Sequence, residues 1–158
     1  TDFTNTWMLD FDQQGTSLIP EPVSSRIVVL ASFTHAYEGN YSGYIHLNST
    51  DTTFFIGASP SPGYLMPPTI DTWLEFDYWS DCEFTVGIEE SANSSNKIPW
   101  LSVIPQYTWT KIYVRLTDAL ASASPSSASN PYKIYFAFQN PASQSESHLY
   151  LDNIKLLK

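Results

Sequence analysis

Between Thr72 and Glu90 the sequence alternates apolar and polar residues with a period of two, and this alternation constrains the fold more than any other feature. Leu74, Phe76 and Tyr78 point one way while Trp73, Glu75, Asp77 and Trp79 point the other. After Ser80-Asp81, Phe84, Val86 and Ile88 alternate with Glu83, Thr85 and Glu89. Successive side chains of an extended strand leave on opposite faces, whereas a helix would scatter these residues around its whole surface. The stretch therefore reads as two strands, joined tightly over residues 79–82, each with one face against a core.

Further segments carry the same signature. Trp7, Leu9 and Phe11 alternate with Met8, Asp10 and Asp12, which predicts a half-buried strand with two carboxylates on its wet face. Residues 26–33 form a continuous apolar run. Residues 41–47, 53–57, 98–105 and 132–139 read as strands, as do residues 109–116, with Ile112, Val114 and Leu116 inward and Lys111, Tyr113 and Arg115 outward. The intervening stretches are loops: residues 13–22 with Gly15, Pro20 and Pro22, the polar run 91–97, and the four-proline segment 58–68. Tyr64, Leu65 and Met66 on that last loop either plug the end of a sandwich or rim a binding site. The Ser/Ala tract 120–131 is expected to carry no chemistry. Nine or ten short strands with little or no helix predict an all-β antiparallel sandwich that uses all 158 residues as one domain.

The last segment, Leu149 to Leu157, breaks its own period. Leu149 and Leu151 share one face but Ile154 and Leu156 fall on the other, so the phase changes at Asp152-Asn153. One unpaired residue, a β-bulge, would return all four to the core and turn the Asp152 carboxylate out of the ladder. The acid is then either a solvated kink residue or part of a cation site.

Charge and cysteine content exclude several roles. Seven Lys and Arg against sixteen Asp and Glu give a net charge of −9, which disfavours nucleic acid and anionic membrane surfaces. Cys82 is the single cysteine, so neither an intrachain disulfide nor a Cys zinc cluster is possible. No apolar run approaches the ~18 residues of a membrane span, and no basic start leads into an apolar stretch as in a signal peptide.

The order of strands resembles the jelly-roll module shared by MAM domains and galactose-binding-like carbohydrate-binding modules. The matching stretches are Asp10-Phe11-Asp12, residues 42–47 (SGYIHL), 74–78 (LEFDY), 109–116 (WTKIYVRL) and Leu151-Asp152-Asn153-Ile154. MAM domains carry disulfide cysteines that this chain lacks, so the bacterial carbohydrate-binding branch is the closer comparison. The resemblance implies adjacent N- and C-terminal strands and a buried Trp109. It also implies a structural calcium ion held by Asp12 (or Asp10) and Asp152, with Glu38 or Asn40 as additions. Solvated acids, or carboxylates capping backbone N–H groups, are the alternatives to calcium. Composition and resemblance together predict a secreted or cell-surface protein, its signal absent from this sequence.

The outward row Trp73, Glu75, Asp77 and Trp79 is the first ligand-binding candidate. Aromatic rings cover the C–H face of a pyranose, and carboxylates orient its hydroxyls. The competing reading covers the tryptophans with a loop and pairs Glu75 or Asp77 with Lys111, Arg115 or Lys133. Trp100 and Tyr107, both near loops, form a second candidate patch. His35, His46 and His148 are scattered over different segments and read as polar surface or turn residues, and no hydrolase or phosphate-loop motif occurs. Glu75 with Glu89 is the one carboxylate pair considered for a glycosidase, which needs a separation of about 5–5.5 or 6.5–9.5 Å across a cleft. With no insertion to build such a cleft, no catalytic residue is assigned. The sequence thus predicts a non-catalytic carbohydrate-binding module with a glycan or polysaccharide partner. A structural or adhesion domain of a larger surface protein is the alternative, and a small jelly-roll glycoside hydrolase ranks third.

Overall fold

The computed structural model describes residues 5–9, 11–12, 19–21, 30–32, 35–48, 53–58, 70–91, 93–123 and 131–158. The strands follow in the order β1 (Asn5–Leu9), β2 (Ile19–Glu21), β3 (Leu30–Ser32), β4 (Ser42–Asn48), β5 (Thr53–Ala58), β6 (Trp73–Ser80), β7 (Phe84–Glu90), β8 (Asn93–Val103), β9 (Gln106–Arg115), β10 (Tyr132–Gln139) and β11 (Glu146–Leu157). One short helix, α1 (Thr117–Ser122), lies between β9 and β10. The six-stranded sheet has the order β3-β4-β11-β6-β9, with β1 also paired to β11, and the five-stranded sheet runs β2-β5-β10-β7-β8. Every pairing is antiparallel.

The core lies between the sheets and is made by the residues whose alternation predicted it. Leu74, Phe76 and Tyr78 of β6 face Phe84, Val86 and Ile88 of β7 and Ile134, Phe136 and Phe138 of β10, all buried. Phe76 meets Phe136 edge-on, ring centroids 5.2 Å apart, and Tyr78 meets Phe84 in the same way at 5.2 Å. Such pairs place a ring's positive edge on its neighbour's negative face and add to the burial itself.

β11 organises the six-stranded sheet. β6 pairs along it from Leu149 to Leu157. On its other edge β4 pairs with residues 146–151 and β1 with residues 154–157, so the first and last strands are neighbours as predicted. The handover from β4 to β1 falls on the bulge. Asp152 faces Asp77 and Lys155 faces Glu75, which leaves two residues on β11 opposite Phe76 alone. Ile154 and Leu156 thereby join Leu149 and Leu151 in the core, all at 0% exposure.

Several boundaries differ from the sequence reading. β1 ends at Leu9, and Phe11-Asp12 form a turn with Phe11 buried and Asp12 exposed; Asp10 lies outside the described residues. The expected loop 91–97 is mostly strand, because β8 begins at Asn93 and pairs back onto Glu90. The tight join over residues 79–82 is an arch between sheets, held by the Ser80 hydroxyl, which donates to the Cys82 carbonyl (2.6 Å) and accepts from the Cys82 N–H (3.2 Å). Helix α1 was hidden by its Ala/Ser composition. Ala119, Leu120 and Ala123 are buried, so one small apolar face packs into the core. The loop bearing Tyr64, Leu65 and Met66, the rest of the 26–33 run and residues 124–130 lie outside the described residues.

Candidate functional site

Outward phase on four strands of the six-stranded sheet produces a row of aromatic rings. Tyr150 of β11 is the direct partner of Tyr44 on β4 and of Trp79 on β6. Beyond Trp79 the register of β9 shifts, with Thr110 opposite Tyr78 and Gln106 opposite Ser80, and this irregularity sets Tyr107 and Trp109 on either side of Trp79. Four strands at a spacing of ~4.8 Å make a platform roughly 15 Å wide.

The rings touch in sequence. Tyr44 stacks on Tyr150 with centroids 4.6 Å apart, and Trp79 stands edge-on to Tyr150 at 5.5 Å and to Tyr107 at 6.0 Å. Trp109 reaches Tyr150 at 6.5 Å. The turn at 35–41 lays two more rings on this row: His35 stacks on Tyr150 at 4.9 Å, and Tyr37 tilts against Trp109 at 5.9 Å. Trp79, Trp109 and Tyr150 are half-buried, while Tyr107 is 67% and Tyr37 47% exposed. Burial, and then the neighbouring Tyr150, push the Tyr44 phenol up to about 12, so it stays an uncharged donor.

One pleat away the face turns from aromatic to charged. Lys111 Nζ lies 2.9 Å from Glu75 Oε1 and 3.4 Å from Asp77 Oδ2, and Lys155 adds a contact to Glu75 at 3.3 Å. Burial raises the Glu75 carboxyl, but the two lysines outweigh it and hold the group below its ordinary value. For Asp77 burial prevails over Lys111, and the carboxyl sits above its ordinary value. Asp77 is fully buried, so it supports the sheet rather than meeting a ligand.

The sequence candidates are therefore distributed as follows. Trp73, Glu75, Asp77 and Trp79 share one face, but only Trp79 belongs to the aromatic row. Trp73 lies at the far end of β6 opposite Leu157 and Arg115, roughly 20 Å along the strand from Trp79. Trp100 and Tyr107 are not brought together. The Trp100 indole N–H donates to the Arg115 carbonyl at 2.9 Å, at the other end of β9 from Tyr107. Trp109, expected in the core, stands on the platform in the same phase as Lys111, Tyr113 and Arg115. Glu75 lies on the outer face of one sheet and Glu89 on β7 of the other, where it pairs with Lys97 at 2.8 Å, so the two cannot flank one glycosidic bond.

The acids proposed for calcium meet backbone donors. Asp152 Oδ2 accepts from the N–H groups of Tyr37 and Glu38 (3.1 and 3.2 Å), and its Oδ1 accepts from Asn153 (2.8 Å). Asp12 Oδ1 accepts from Asn40 and Tyr41 (2.7 and 2.8 Å). Glu38 Oε2 accepts from the Asn153 amide at 3.2 Å. Gly39, at φ +70°, lies so close to the Asp12 carboxylate that a Cβ would collide with it. Peptide N–H groups thus direct their positive ends at the oxygens a cation would need, and the arrangement fits carboxylate capping better than calcium.

No protein-family model and no curated protein matches this chain. Solved structures do match it. The family 30 carbohydrate-binding module of a cellulosomal cellulase of Clostridium thermocellum is 13% identical with a TM-score of 0.60, covering 98% of this chain and 92% of that one. A xylan-binding domain of family 22 is also 13% identical at a TM-score of 0.60, covering 96% and 93%. An exo-β-agarase matches at 13% identity and a TM-score of 0.62, over 96% of this chain and 25% of its own. The fold is that of carbohydrate-binding β-sandwiches. None of these three is a MAM domain, and the likeness at such identity extends to the fold alone.

Tyr44, Tyr150 and Trp109 are the members of the row that sequence reasoning did not single out, although each sits in the outward phase of its own strand. Nothing local marks His35 and Tyr37, which reach the platform from a turn.

Proposed function

We propose that this chain is a non-catalytic carbohydrate-binding module that takes a polysaccharide along the aromatic row of its six-stranded sheet. The observation that carries this reading is the continuous line Tyr44, Tyr150, Trp79 and Tyr107 across four strands, with its outermost ring two-thirds exposed. Pyranose rings present C–H faces to aromatic rings and hydroxyls to the phenol and imidazole groups at their edges. A net charge of −9 suits a neutral polymer better than a polyanion. The fold shared with modules named for carbohydrate and xylan binding supports the class of ligand. We place the chain in a secreted or cell-surface bacterial protein alongside other domains, and the match to a quarter of the agarase supports that modular setting.

Affinity electrophoresis and titration calorimetry against soluble glucans, xylans, mannans and agar oligosaccharides test the proposal. Retention by at least one polymer is expected, with a Kd in roughly the micromolar to millimolar range. Trp79→Ala and Tyr107→Ala should each weaken binding about tenfold or more, ~1.4 kcal/mol, with Tyr107→Ala leaving the melting temperature nearly unchanged. Failure of every polymer to retard the protein would leave a structural or adhesion domain.

A further inference from the structure

On the β4–β11 side of the six-stranded sheet, the row of outward side chains ends in two histidines. His46 on β4 and His148 on β11 are direct cross-strand partners, and both point outward because Ile45, Leu47 and Leu149 point into the core. Their imidazoles are nearly parallel, 4° apart in plane and 4.8 Å between centroids. Both Nε2 atoms turn toward one carboxylate oxygen, Glu146 Oε2, at 3.6 Å from His46 and 3.8 Å from His148. His46 Nε2 is shielded from solvent and makes no hydrogen bond. The other nitrogen of His148, Nδ1, is 2.9 Å from the Tyr44 hydroxyl.

These distances are longer than the ~2.7–2.9 Å of a charge-assisted hydrogen bond. They are close to the spacing of donor atoms around a tetrahedral ion, since bonds of ~2.0–2.1 Å put neighbouring ligands about 3.3 Å apart. Among the described residues, His46, Glu146 and His148 are the group whose metal-ligating atoms converge, all within 4.8 Å of one another. We propose that they form a binding site for a divalent transition-metal ion of the zinc class. Imidazole nitrogen prefers such borderline ions to calcium or magnesium, and three protein ligands leave a fourth position for water. With its Nδ1–H donating to the Tyr44 hydroxyl oxygen, His148 keeps the Nε2 lone pair for the site, as second-shell partners of metal-bound histidines do. The His46 ring is part-exposed and can rotate about Cβ–Cγ to bring its lone pair onto the ion. Cys82, the one thiol in the chain, is buried and does not compete.

The test is titration of the metal-stripped full chain with ZnCl2, by calorimetry and by competition with a chromophoric chelator. One zinc ion per chain is expected, with a rise in melting temperature by mass action. CaCl2 should produce neither. His46→Asn and His148→Asn should each weaken zinc binding at least about tenfold, and Tyr44→Phe should weaken it by about ten- to a hundredfold through the second shell. His35→Asn, outside the trio, should leave zinc affinity unchanged. Melting curves without metal establish that each variant folds, and Glu146→Gln, whose side chain is mostly exposed, supplies a further variant whose fold is not at stake. Absence of zinc binding by the wild-type chain, or binding that survives in the His46→Asn/His148→Asn double variant, would overturn the proposal and leave the trio an ordinary histidine–carboxylate cluster.

Discussion

Asn153 holds φ at +48° in the bulge of β11, a left-handed conformation that costs most L-residues about 1–2 kcal/mol. Asparagine tolerates it, and here its amide also donates to Glu38 at 3.2 Å and reaches Asp77 at 3.5 Å. Substitution separates these contributions. Asn153→Gly keeps the backbone relaxed but loses the amide contacts, whereas Asn153→Val loses both and adds a β-branched side chain in the wrong region. Urea midpoints should therefore fall in the order wild type, Asn153→Gly, Asn153→Val, with the last step about 1–2 kcal/mol. Equal midpoints for the two variants would mean that the backbone stores no strain there.

At the scale of elements, the bulge is the joint between β4, β1 and the turn 35–41. Asp152 fastens the turn by accepting two of its N–H groups, and Asp12 accepts two more from the same turn. His35 and Tyr37 reach the aromatic row from this turn, so its anchoring couples the closing strand to the aromatic face. Asp152→Ala would leave several donors without a partner and should cost about 3 kcal/mol, roughly 6–12 °C in Tm for a chain of this size. Because peptide N–H groups already provide the positive partners of these acids, the calcium-selective chelator EGTA should leave the Tm unchanged. A drop in EGTA restored by added calcium would instead place a cation among Asp12, Asp152 and Glu38.

For the whole molecule, the alkaline side is where stability should fail. Burial pushes the Cys82 thiol from an ordinary 9.0 to about 11, and the Tyr44 and Tyr135 phenols from 10.0 to about 12. Between the ordinary and the raised values the unfolded chain has already lost protons that the folded chain keeps. Stability is therefore fully present below pH 9 and falls as pH rises through 11. For Cys82 alone the loss is about 2–3 kcal/mol. Urea unfolding at pH 8 and pH 10.5 should show most of this difference, reduced in Cys82→Ala, and a midpoint independent of pH over that range would rule it out.

The period-two alternation of residues 72–90 determined strands and core, because each of those side chains had to leave on one face or the other regardless of its neighbours. The phase break at Asp152-Asn153 likewise determined the bulge, since no other local change returns Ile154 and Leu156 to the face of Leu149 and Leu151. Outward phase was equally legible for Tyr44, Trp79 and Tyr150, whereas Trp109 was expected in the core. Their assembly into one row was not, because it depends on β4, β11, β6 and β9 being neighbours, and on a register irregularity opposite Trp79 that no single strand encodes. The same holds for His46 and His148, 102 residues apart in the sequence and facing each other only because β11 pairs with β4. Helix α1 and the turn that carries His35 and Tyr37 took their places from packing and from the Asp12 and Asp152 carboxylates. Local sequence fixes which way a side chain points; only the pairing of distant strands decides what it meets.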